Sequence, residues 1–397
     1  MDAYQDVTSF EEAVQRAVET GAIAGIVGAV TTPRETVIDI GCGWRDRGKT
    51  QPMDIDTVVA LASMTKTVTA VAALQLVERG AIGLDEPLGR LIPHFAEPMV
   101  LEGFDADGTP RLRPARRPVT LRRLLTHSSG LGHDIWSATL MRYRPLAGIP
   151  LHSSHTNASL DIPLMSDPGE RWEYSIGLEW TGKVIEALTG KTLGAHLAEH
   201  ITGPLGMADT RFGPGPQHEG RLAAVWQRGD DGTLRPIDFA ILPGEYEAGG
   251  GGLYGTARDY LIFLRMFLNQ GRHGEHRILM PETIRLMATE QIGDLNVTRL
   301  ITVMPHLSRD FEPFFGLKTG WNLGGMHMRE KGPNGRPVGS WGWGGLANCY
   351  FWVDPINEVA GLVLAQILPF GDPTVLGLFG ALEKETYRRV EPGKPPR

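Results

Sequence analysis

The sequence has very few cysteines: Cys42 and Cys349 are the only two in 397 residues. Two cysteines so far apart do not make the disulfide framework of a small secreted domain, so we expect two reduced, buried thiols. The sequence also lacks any run of about 18 apolar residues, which excludes a membrane-spanning helix. Its start, "MDAYQDVTSFEEAV", is acidic and has no apolar stretch of the kind found in signal peptides. These absences predict a cytoplasmic protein.

The sequence also has fewer positively charged than negatively charged residues. Lys and Arg number 39 against 46 Asp and Glu, which leaves a formal net charge of −7. A chain without a dominant basic surface is not expected to have nucleic acid as its main partner. One stretch, residues 111–123, is rich in arginine, and we interpret it as a solvated loop followed by a helix start.

Hydrophobic periodicity and capping residues predict helices and strands in separate parts of the chain. Strand patterns occur near the two ends, at 22–31, 35–41 and across 314–367. The stretch 130–168 is rich in Trp, Tyr, His and Met, and we predict a loop there that walls a pocket. Helical patterns occur at 8–21, 64–79, 119–126, 177–189, 193–200, 256–271, 280–289 and 373–390.

The order of these elements predicts an α+β fold with an insertion. Strands at both ends, with helices between them, are typical of a split domain that holds a second, helical domain. We predict an α/β domain formed by residues 1–60 and 241–397, and a mainly helical domain formed by residues 61–240. The active site is expected in the cleft between the two domains.

Ser63 and Lys66 form a Ser-x-x-Lys motif at the start of the predicted helix 64–79. Residues three apart at the start of a helix share one face, so these two side chains can touch. A serine hydroxyl becomes a good nucleophile when a base removes its proton, and a lysine can serve when burial destabilises its ammonium. The motif alone also arises by chance, as a capping serine beside a surface lysine. Here, however, Lys66 lies within an almost wholly apolar helix.

Two further segments could complete a serine acyl-transfer site. Tyr174 follows a Pro-Gly turn and precedes a helix, so a rigid junction can hold its hydroxyl for proton relay. The alternative is a core tyrosine whose hydroxyl bonds to backbone. In "SWGWGGLAN", residues 340–348, glycines after a large aromatic indicate a strand edge that another group approaches closely. The N–H groups of Leu346 and Ser63 can then stabilise an oxyanion.

With these residues the chain resembles the serine β-lactamase-like family, class C branch, over roughly residues 8–390. It looks most similar to the family VIII carboxylesterases and the fungal statin-side-chain acyltransferases, and "LLTHSSGL" (124–131) is one of several further shared landmarks. The resemblance implies a β-lactamase/penicillin-binding-protein-like fold, an antiparallel sheet flanked by helices. It also implies that Ser63 is acylated and that Lys66 and Tyr174 share the general-base and general-acid roles.

Two departures from the β-lactamase pattern favour an ester substrate. Where the lactamases have Tyr-x-Asn, this chain has Tyr174-Ser175-Ile176, so the amide that helps to hold a β-lactam is missing. Where they have Lys-Thr-Gly, the esterase branch has an aromatic residue and two glycines, and Trp343-Gly344-Gly345 fits that pattern. Loss of a cation and of an amide contact favours a neutral ester over an anionic β-lactam.

Several other motifs are interpreted as structural. Lys318-Thr319-Gly320 matches the lactamase tripeptide, but in the resemblance it occupies the preceding strand, so we predict a structural hairpin there. "HLAEH" (196–200) resembles a zinc-protease helix, but without a third ligand its histidines are expected to be solvated. His127 is expected to bond backbone. His152 and His155 have no carboxylate or Cys partner in register, so we expect loop or pocket-wall residues.

These observations predict a serine hydrolase that cleaves short-chain or small-molecule carboxylic esters through an acyl-enzyme on Ser63. An acyltransferase to an alcohol, a weak β-lactamase or D-Ala peptidase, and a non-catalytic penicillin-binding-like module remain as alternatives. We expect no metal or cofactor, a small-molecule ester as partner, no nucleic acid or membrane, and a monomer or homodimer. The expected pocket residues are Trp343, Gly344, Gly345, Ser175, Trp136 and Tyr143.

Overall fold

A computed structural model of the chain describes residues 9–312, 314 and 316–390. Residue 8 of the first predicted helix and Phe315 of the predicted strand region lie outside the described residues. The helices are α1 (Phe10–Glu19), α2 (Thr65–Glu78), α3 (Leu121–Leu125), α4 (Ala138–Ala147), α5 (Gly177–Thr189), α6 (Leu193–Leu197), α7 (Gly203–Leu205), α8 (Ala257–Leu268), α9 (Pro281–Ala288) and α10 (Pro373–Arg389).

The strands are short, and most of them lie towards the two ends of the chain. They are β1 (Gly25–Thr31), β2 (Thr36–Gly43), β3 (Val59–Ala60), β4 (Met99–Phe104), β5 (Pro110–Pro114), β6 (Arg211–Phe212), β7 (Val225–Arg228), β8 (Leu234–Ile237), β9 (Leu253–Gly255), β10 (Arg272–His273), β11 (His276–Arg277), β12 (Thr319–Trp321), β13 (Met326–Met328), β14 (Trp341–Gly345), β15 (Cys349–Asp354), β16 (Val359–Leu364) and β17 (Ile367–Leu368).

Capping side chains determine where several helices begin. Ser9 accepts a hydrogen bond from the backbone N–H of Glu12 at the start of α1, and Thr256 accepts one from Asp259 at the start of α8. Each cap satisfies an N–H that the first helical turn leaves without a partner. The predicted helices agree with these bounds to within a few residues.

The main sheet has seven antiparallel strands in the order β12-β13-β14-β15-β16-β1-β2. Every residue of β1, β15 and β16 is buried, because helices cover this part of the sheet. Helices α1 and α10 pack together on one part of it, and α8 packs on β1, β15 and β16. The approach is close: a Cβ on Gly28 of β1 would lie 2.2 Å from the Phe10 ring of α1. The predicted antiparallel sheet flanked by helices is confirmed.

Helix α2 is apolar on all sides and runs through the core. Residues 65–76 are all buried, as expected of a helix without a polar face. It packs against α5 and α6 at its sides, and its first residues meet the turn that follows β3. Lys66 therefore enters the interior on the first turn of a helix that has no exposed face there.

One prediction for the middle of the chain is wrong. The supposed loop 130–168 contains helix α4, which Ser137 caps and which carries Pro145 near its end. The region 61–240 also contains the β4–β5 hairpin, and β7 pairs in parallel with β17 from the end of the chain. Prolines and arginines in β5 mask the alternation that marks a strand. The division into 1–60 with 241–397 and 61–240 remains a prediction.

No helix within the described residues is both long enough and apolar enough to span a bilayer. Cys42 and Cys349 are both free thiols, the first half-buried and the second buried. The expectation of a buried thiol is confirmed for Cys349 and is wrong for Cys42, which is only half-buried.

Candidate active site

Ser63 lies in a 3₁₀ turn, Ala62–Met64, that leads directly into α2. Ala62 has a φ of +45°, a left-handed conformation that costs energy for any residue with a side chain. The turn is held by the Tyr260 hydroxyl, which donates to the carbonyl of Met64 at 3.0 Å. The strained turn leaves the Ser63 side chain half-buried at the start of the helix.

Lys66 follows one turn later and points back at the serine. Its side chain is buried, and Nζ donates hydrogen bonds to Ser63 Oγ at 3.1 Å and to the Gly250 carbonyl at 2.5 Å. Both partners are neutral oxygens, so the ammonium is bound without an ion pair at hydrogen-bond distance. The predicted contact between the two motif residues is present in the structure.

Tyr174 completes the set from the loop that precedes α5. Its ring centroid lies 4.9 Å from Lys66 Nζ, within the range of a cation–π contact. Its phenol oxygen accepts a hydrogen bond from Trp343 Nε1 at 3.1 Å, and both side chains are buried. The alternative of a core tyrosine bound to backbone is therefore not what the structure shows, because the hydroxyl meets a side chain from β14.

The end of strand β14 lies against the turn Ala62–Met64, which carries Ser63. A Cβ on Gly345 would lie 2.2 Å from the carbonyl oxygen of Leu61, so this position requires glycine. The close approach puts Leu346 beside Ser63, and both line the same cavity. The two N–H groups predicted as oxyanion donors thus belong to adjoining segments.

The turn after β14 is shaped by Asn348, which sequence reasoning missed. Asn348 is buried with φ of +59°, a conformation that Asn tolerates better than most residues. Its amide nitrogen donates to the carbonyls of Ile367 and Pro369, and its amide oxygen accepts from Tyr350 Oη and Asp372 N–H. These four bonds hold the segment that carries Leu346. An Asn three residues after a glycine pair was the available signal.

A cavity of about 190 Å³ opens over Ser63, and its lining residues are of two chemical kinds. The apolar ones are Ile135, Trp136, Phe239, Ile241, Met304, Leu307, Trp343, Leu346 and Phe370. The polar ones are Lys66, His133, Asp134, His152, Ser153, His155 and Glu179. In the part of the chain that the structure describes, Lys66 is the only lysine or arginine that lines this cavity.

The predicted pocket residues divide into two groups. Trp136, Trp343 and Gly344 line the cavity as expected, whereas Gly345 does not and packs on Leu61 instead. Two further predictions are corrected by the structure. Ser175 is fully buried and faces the His127 ring rather than the cavity, since its Oγ lies 3.1 Å from His127 Nδ1. Tyr143 is half-buried on α4 and does not line the cavity, because that segment is helical rather than a loop.

His127 contacts Tyr174 and the residue that follows it. Its Nδ1 accepts the backbone N–H of Ser175 at 3.1 Å, and its ring lies 4.5 Å from that of Tyr174. Burial lowers the pKa of His127 well below its usual value, and the nearby Lys66 lowers it further. A neutral imidazole that accepts a backbone N–H fits the structural role expected from the sequence.

Glu179 is the main polar residue of the site that sequence reasoning missed. It lies buried in the first turn of α5, where Oε2 accepts the Gly250 N–H at 2.7 Å and Oε1 is 3.2 Å from His152 Nε2. Burial disfavours its charged form, but the His152 contact and the nearby Lys66 outweigh burial and lower the pKa of Glu179. The only signal was one acid in the apolar start of a helix.

Two expectations about histidines therefore need correction. His152 and His155 line the cavity as predicted, but His152 does have a carboxylate partner, supplied by a helix distant in sequence. His196 is buried rather than solvated, and burial lowers its pKa to about 4. Within the described residues, no three His, Cys, Asp or Glu side chains gather as a metal site would require.

The tripeptide Lys318-Thr319-Gly320 lies at the far edge of the main sheet. Thr319 and Gly320 belong to the edge strand β12, which pairs with β13 as a hairpin, and the Lys318 side chain is exposed. The hairpin interpretation is confirmed. Trp321, at the end of β12, reaches back and stacks edge-on against Trp343, with 4.8 Å between the ring centroids.

With this geometry in place, comparison with known proteins decides the family. A profile of the β-lactamase family matches residues 10–381. The chain belongs to the β-lactamase family. It is an enzyme of the serine β-lactamase-like superfamily, and the resemblance and the α+β fold predicted from the sequence are confirmed.

Relatives place the chain in the statin-side-chain branch of that superfamily. The monacolin J acid methylbutanoyltransferase of Aspergillus terreus is 34% identical, covering 86% of this chain and 84% of its own. The lovastatin esterase of Penicillium rubens is 32% identical, covering 96% of this chain and 98% of its own. The unliganded simvastatin synthase of Aspergillus terreus superposes with a TM-score of 0.83 at 31% identity, covering 97% of this chain and 98% of its own.

Proposed function

We propose that this enzyme cleaves carboxylic esters of small molecules through an acyl-enzyme on Ser63. The observation that carries the proposal is the buried Lys66 Nζ, 3.1 Å from Ser63 Oγ, in a cavity that both residues line together with many apolar side chains. A lysine in that position can accept the serine proton, and the apolar side chains suit an acyl chain. The enzyme therefore has a nucleophile, a base and a binding surface in one place.

In the first half-reaction, Ser63 Oγ attacks the carbonyl carbon of the ester and its proton passes to Lys66 or Tyr174. The N–H groups of Ser63 and Leu346 stabilise the negative oxygen of the tetrahedral intermediate. The carbon–oxygen bond to the alcohol then breaks, and the same relay returns a proton to the leaving alkoxide. In the second half-reaction, water attacks the acyl-serine, which releases the acid and restores Ser63.

The ester preference is supported by the charges around the cavity. A β-lactam or D-Ala peptide carries a carboxylate that β-lactamases and D-Ala peptidases bind with a cation. In this site Lys66 already donates hydrogen bonds to Ser63 and Gly250. Trp343 and Gly344 occupy the strand position where a cation would be needed. A neutral ester has no carboxylate that needs a cation, so the site favours an ester over a β-lactam or a D-Ala peptide.

A second candidate is acyl transfer to an alcohol instead of water. Relatives of both kinds have similar identity to this chain, a methylbutanoyltransferase at 34% and an esterase at 32%. The same acyl-enzyme serves both reactions, and the outcome depends on whether water or an alcohol reaches the acyl-serine. The apolar residues that line the cavity, Trp136 and Phe370 among them, favour an apolar alcohol as acceptor.

A panel of p-nitrophenyl esters, assayed with wild type and Ser63→Ala, tests the proposal. We expect Ser63→Ala to lower kcat by at least about 10³-fold, because no other group can form the acyl-enzyme. Retention of the wild-type rate in Ser63→Ala would contradict the mechanism. Much faster turnover of nitrocefin than of any ester would show a β-lactamase instead. Product analysis with a competing alcohol separates hydrolysis from transfer, since transfer yields a new ester.

A further inference from the structure

The Glu179 carboxylate lies close to the Ser63–Lys66 pair, and Gly250 separates it from Lys66. Gly250 donates its N–H to Glu179 Oε2 at 2.7 Å and accepts from Lys66 Nζ through its carbonyl at 2.5 Å. Lys66 in turn reaches Ser63 Oγ at 3.1 Å. One glycine therefore links a buried acid to the base that the proposed reaction uses.

The carboxylate and the ammonium also face each other through space. A Cβ built on Gly250 would lie 2.3 Å from Glu179 Oε1 and 3.2 Å from Lys66 Nζ, so nothing larger than glycine fits between them. Opposite charges on two buried side chains that only this glycine separates attract each other. The acid therefore influences the position of the lysine.

The groups around Glu179 come from several segments of the chain. His152 Nε2 lies 3.2 Å from Oε1, and the backbone N–H of His152 is held by Asp134 at 2.8 Å. Asp134 is itself paired with the buried Arg144. The titratable and charged groups that face Glu179, directly or through His152, are Lys66, His152, Tyr246, His133, Asp134 and Arg144.

We propose that Glu179 is a positioning residue for acyl transfer, holding the Gly250 segment in place and keeping Lys66 directed at Ser63. The inference rests on the proposed function, because it assigns Glu179 a part in the reaction of Ser63. It has two consequences that can be separated. Loss of the hydrogen bond to Gly250 displaces Lys66, and loss of the negative charge makes the ammonium of Lys66 easier to deprotonate.

The variant Glu179→Gln tests both consequences, because glutamine keeps the shape but removes the charge, and its neutral oxygen is a weaker acceptor for the Gly250 N–H than a carboxylate oxygen. The primary measurement is the rate at which a fluorophosphonate labels Ser63, recorded from pH 5 to pH 10 in roughly half-unit steps, because labelling needs no knowledge of the natural substrate. kcat and KM for a p-nitrophenyl ester and the thermal unfolding midpoint are measured alongside.

We expect the maximal labelling rate and kcat of Glu179→Gln to fall about 10- to 100-fold, with KM changed about two-fold at most. The acidic limb of the pH profile is expected to move to lower pH, since removing a negative charge favours the neutral amine. Glu186→Gln is the matched control. Glu186 lies on the same helix, pairs with Lys183 and does not line the cavity, so its variant should keep the wild-type rate and profile.

The possible outcomes distinguish this inference from the proposed function. If wild-type Ser63 is neither labelled nor able to turn over esters, the proposed function fails. If wild type reacts and Glu179→Gln shows the same rate and the same pH profile, the function stands and the positioning role is overturned. A lower rate without any shift of the acidic limb would also overturn it, since a purely structural defect has that effect.

Glu179→Asp covers the case in which the glutamine variant does not fold. Aspartate keeps the charge but is one methylene shorter, so it weakens the contact with Gly250 while the charge stays near Lys66. We expect a reduced labelling rate with an acidic limb close to that of wild type. A folded Glu179→Asp enzyme with wild-type rate would overturn the proposal.

Discussion

Trp343 and Tyr174 meet through one hydrogen bond, in which the indole Nε1 donates to the phenol oxygen at 3.1 Å. Both side chains are buried, and buried polar groups of this kind are normally hydrogen-bonded. The bond leaves the hydroxyl proton of Tyr174 free to be given or received elsewhere. Trp343, expected from the sequence to wall the pocket, therefore also orients the residue that we expect to relay protons.

Replacing Trp343 by phenylalanine keeps an aromatic wall but removes the donor to Tyr174. We expect kcat for short esters to fall about 10-fold, in line with about 1–3 kcal/mol for a buried polar group left without its partner. KM should change little, because the apolar surface is retained. Steady-state kinetics on the ester panel give both constants, with Trp343→Ala as comparison.

Trp343→Ala should lower kcat as well and also shift preference towards longer acyl chains, because truncation enlarges the cavity. An unchanged kcat in Trp343→Phe would show that the indole N–H has no part in the reaction. Trp343 would then serve only to line the cavity, as the sequence alone suggested.

At the scale of elements, strand order within the main sheet decides which glycine-rich segment reaches the nucleophile. The sequence offers two such segments, the one around Lys318 and the one around Trp343. Strand β12 is at the edge of the sheet, and β13 separates it from β14. Strand β14 is the one whose end, at Gly345, meets the carbonyl of Leu61.

Lys318→Ala should leave ester turnover within about two-fold of wild type, because the side chain is exposed and does not line the cavity. Its effect on unfolding free energy should stay within about 0.5 kcal/mol, as for other exposed positions. Kinetics and chemical denaturation check both values. A ten-fold loss of kcat in Lys318→Ala would instead indicate that the tripeptide acts in catalysis as it does in β-lactamases.

At the scale of the whole molecule, ion pairs tie the β4–β5 hairpin to the segment that carries Tyr174. Arg113 of β5 donates to both carboxylate oxygens of Asp167, at 3.0 and 2.8 Å, and Arg116 donates its N–H at 2.8 Å. The pKa of Asp167 is lowered to about 2, mainly by the hydrogen bonds from Arg113 and next by the one from the Arg116 N–H. Part of the arginine-rich stretch is therefore bound rather than solvated.

Asp167→Asn should lower the thermal midpoint at neutral pH, because it removes the charge that Arg113 binds. The pKa of Asp167 is lower in the folded protein than its usual 3.8, so the ionised pair stabilises the fold above about pH 4. That contribution is lost as pH falls towards about 2. The difference in midpoint between wild type and variant should therefore shrink across this range.

Differential scanning fluorimetry from pH 7 down to pH 2 measures this difference. Asp230→Asn, at an exposed position in the turn between β7 and β8, serves as control and should leave the midpoint unchanged at every pH. A difference between wild type and Asp167→Asn that stays constant down to pH 2 would contradict the assignment of the stabilisation to the ionised carboxylate.

Much of the site could be predicted from local patterns. Ser63 and Lys66 are three apart at a helix start, and Tyr174 stands at a turn–helix junction, so their chemistry is visible within a few residues. Glu179 and Asn348 could not be found in this way. Their partners Gly250 and Pro369 lie on other segments, and only folding brings them together. Helix α4 was missed because Pro145 and aromatic residues suggested a loop.

The sequence by itself pointed to the family and to Ser63, Lys66 and Tyr174, because short motifs act over a few residues, and the resemblance to that family implied the antiparallel sheet with flanking helices and the glycine-rich strand that lines the cavity. Only the tertiary structure decided which predicted pocket residues face the cavity and which carboxylate lies next to Lys66. The physical reason is that strand order, side-chain burial and electrostatic contact depend on distances through space. Gly250 shows this directly, since its place between Glu179 and Lys66 depends on segments far apart in the chain.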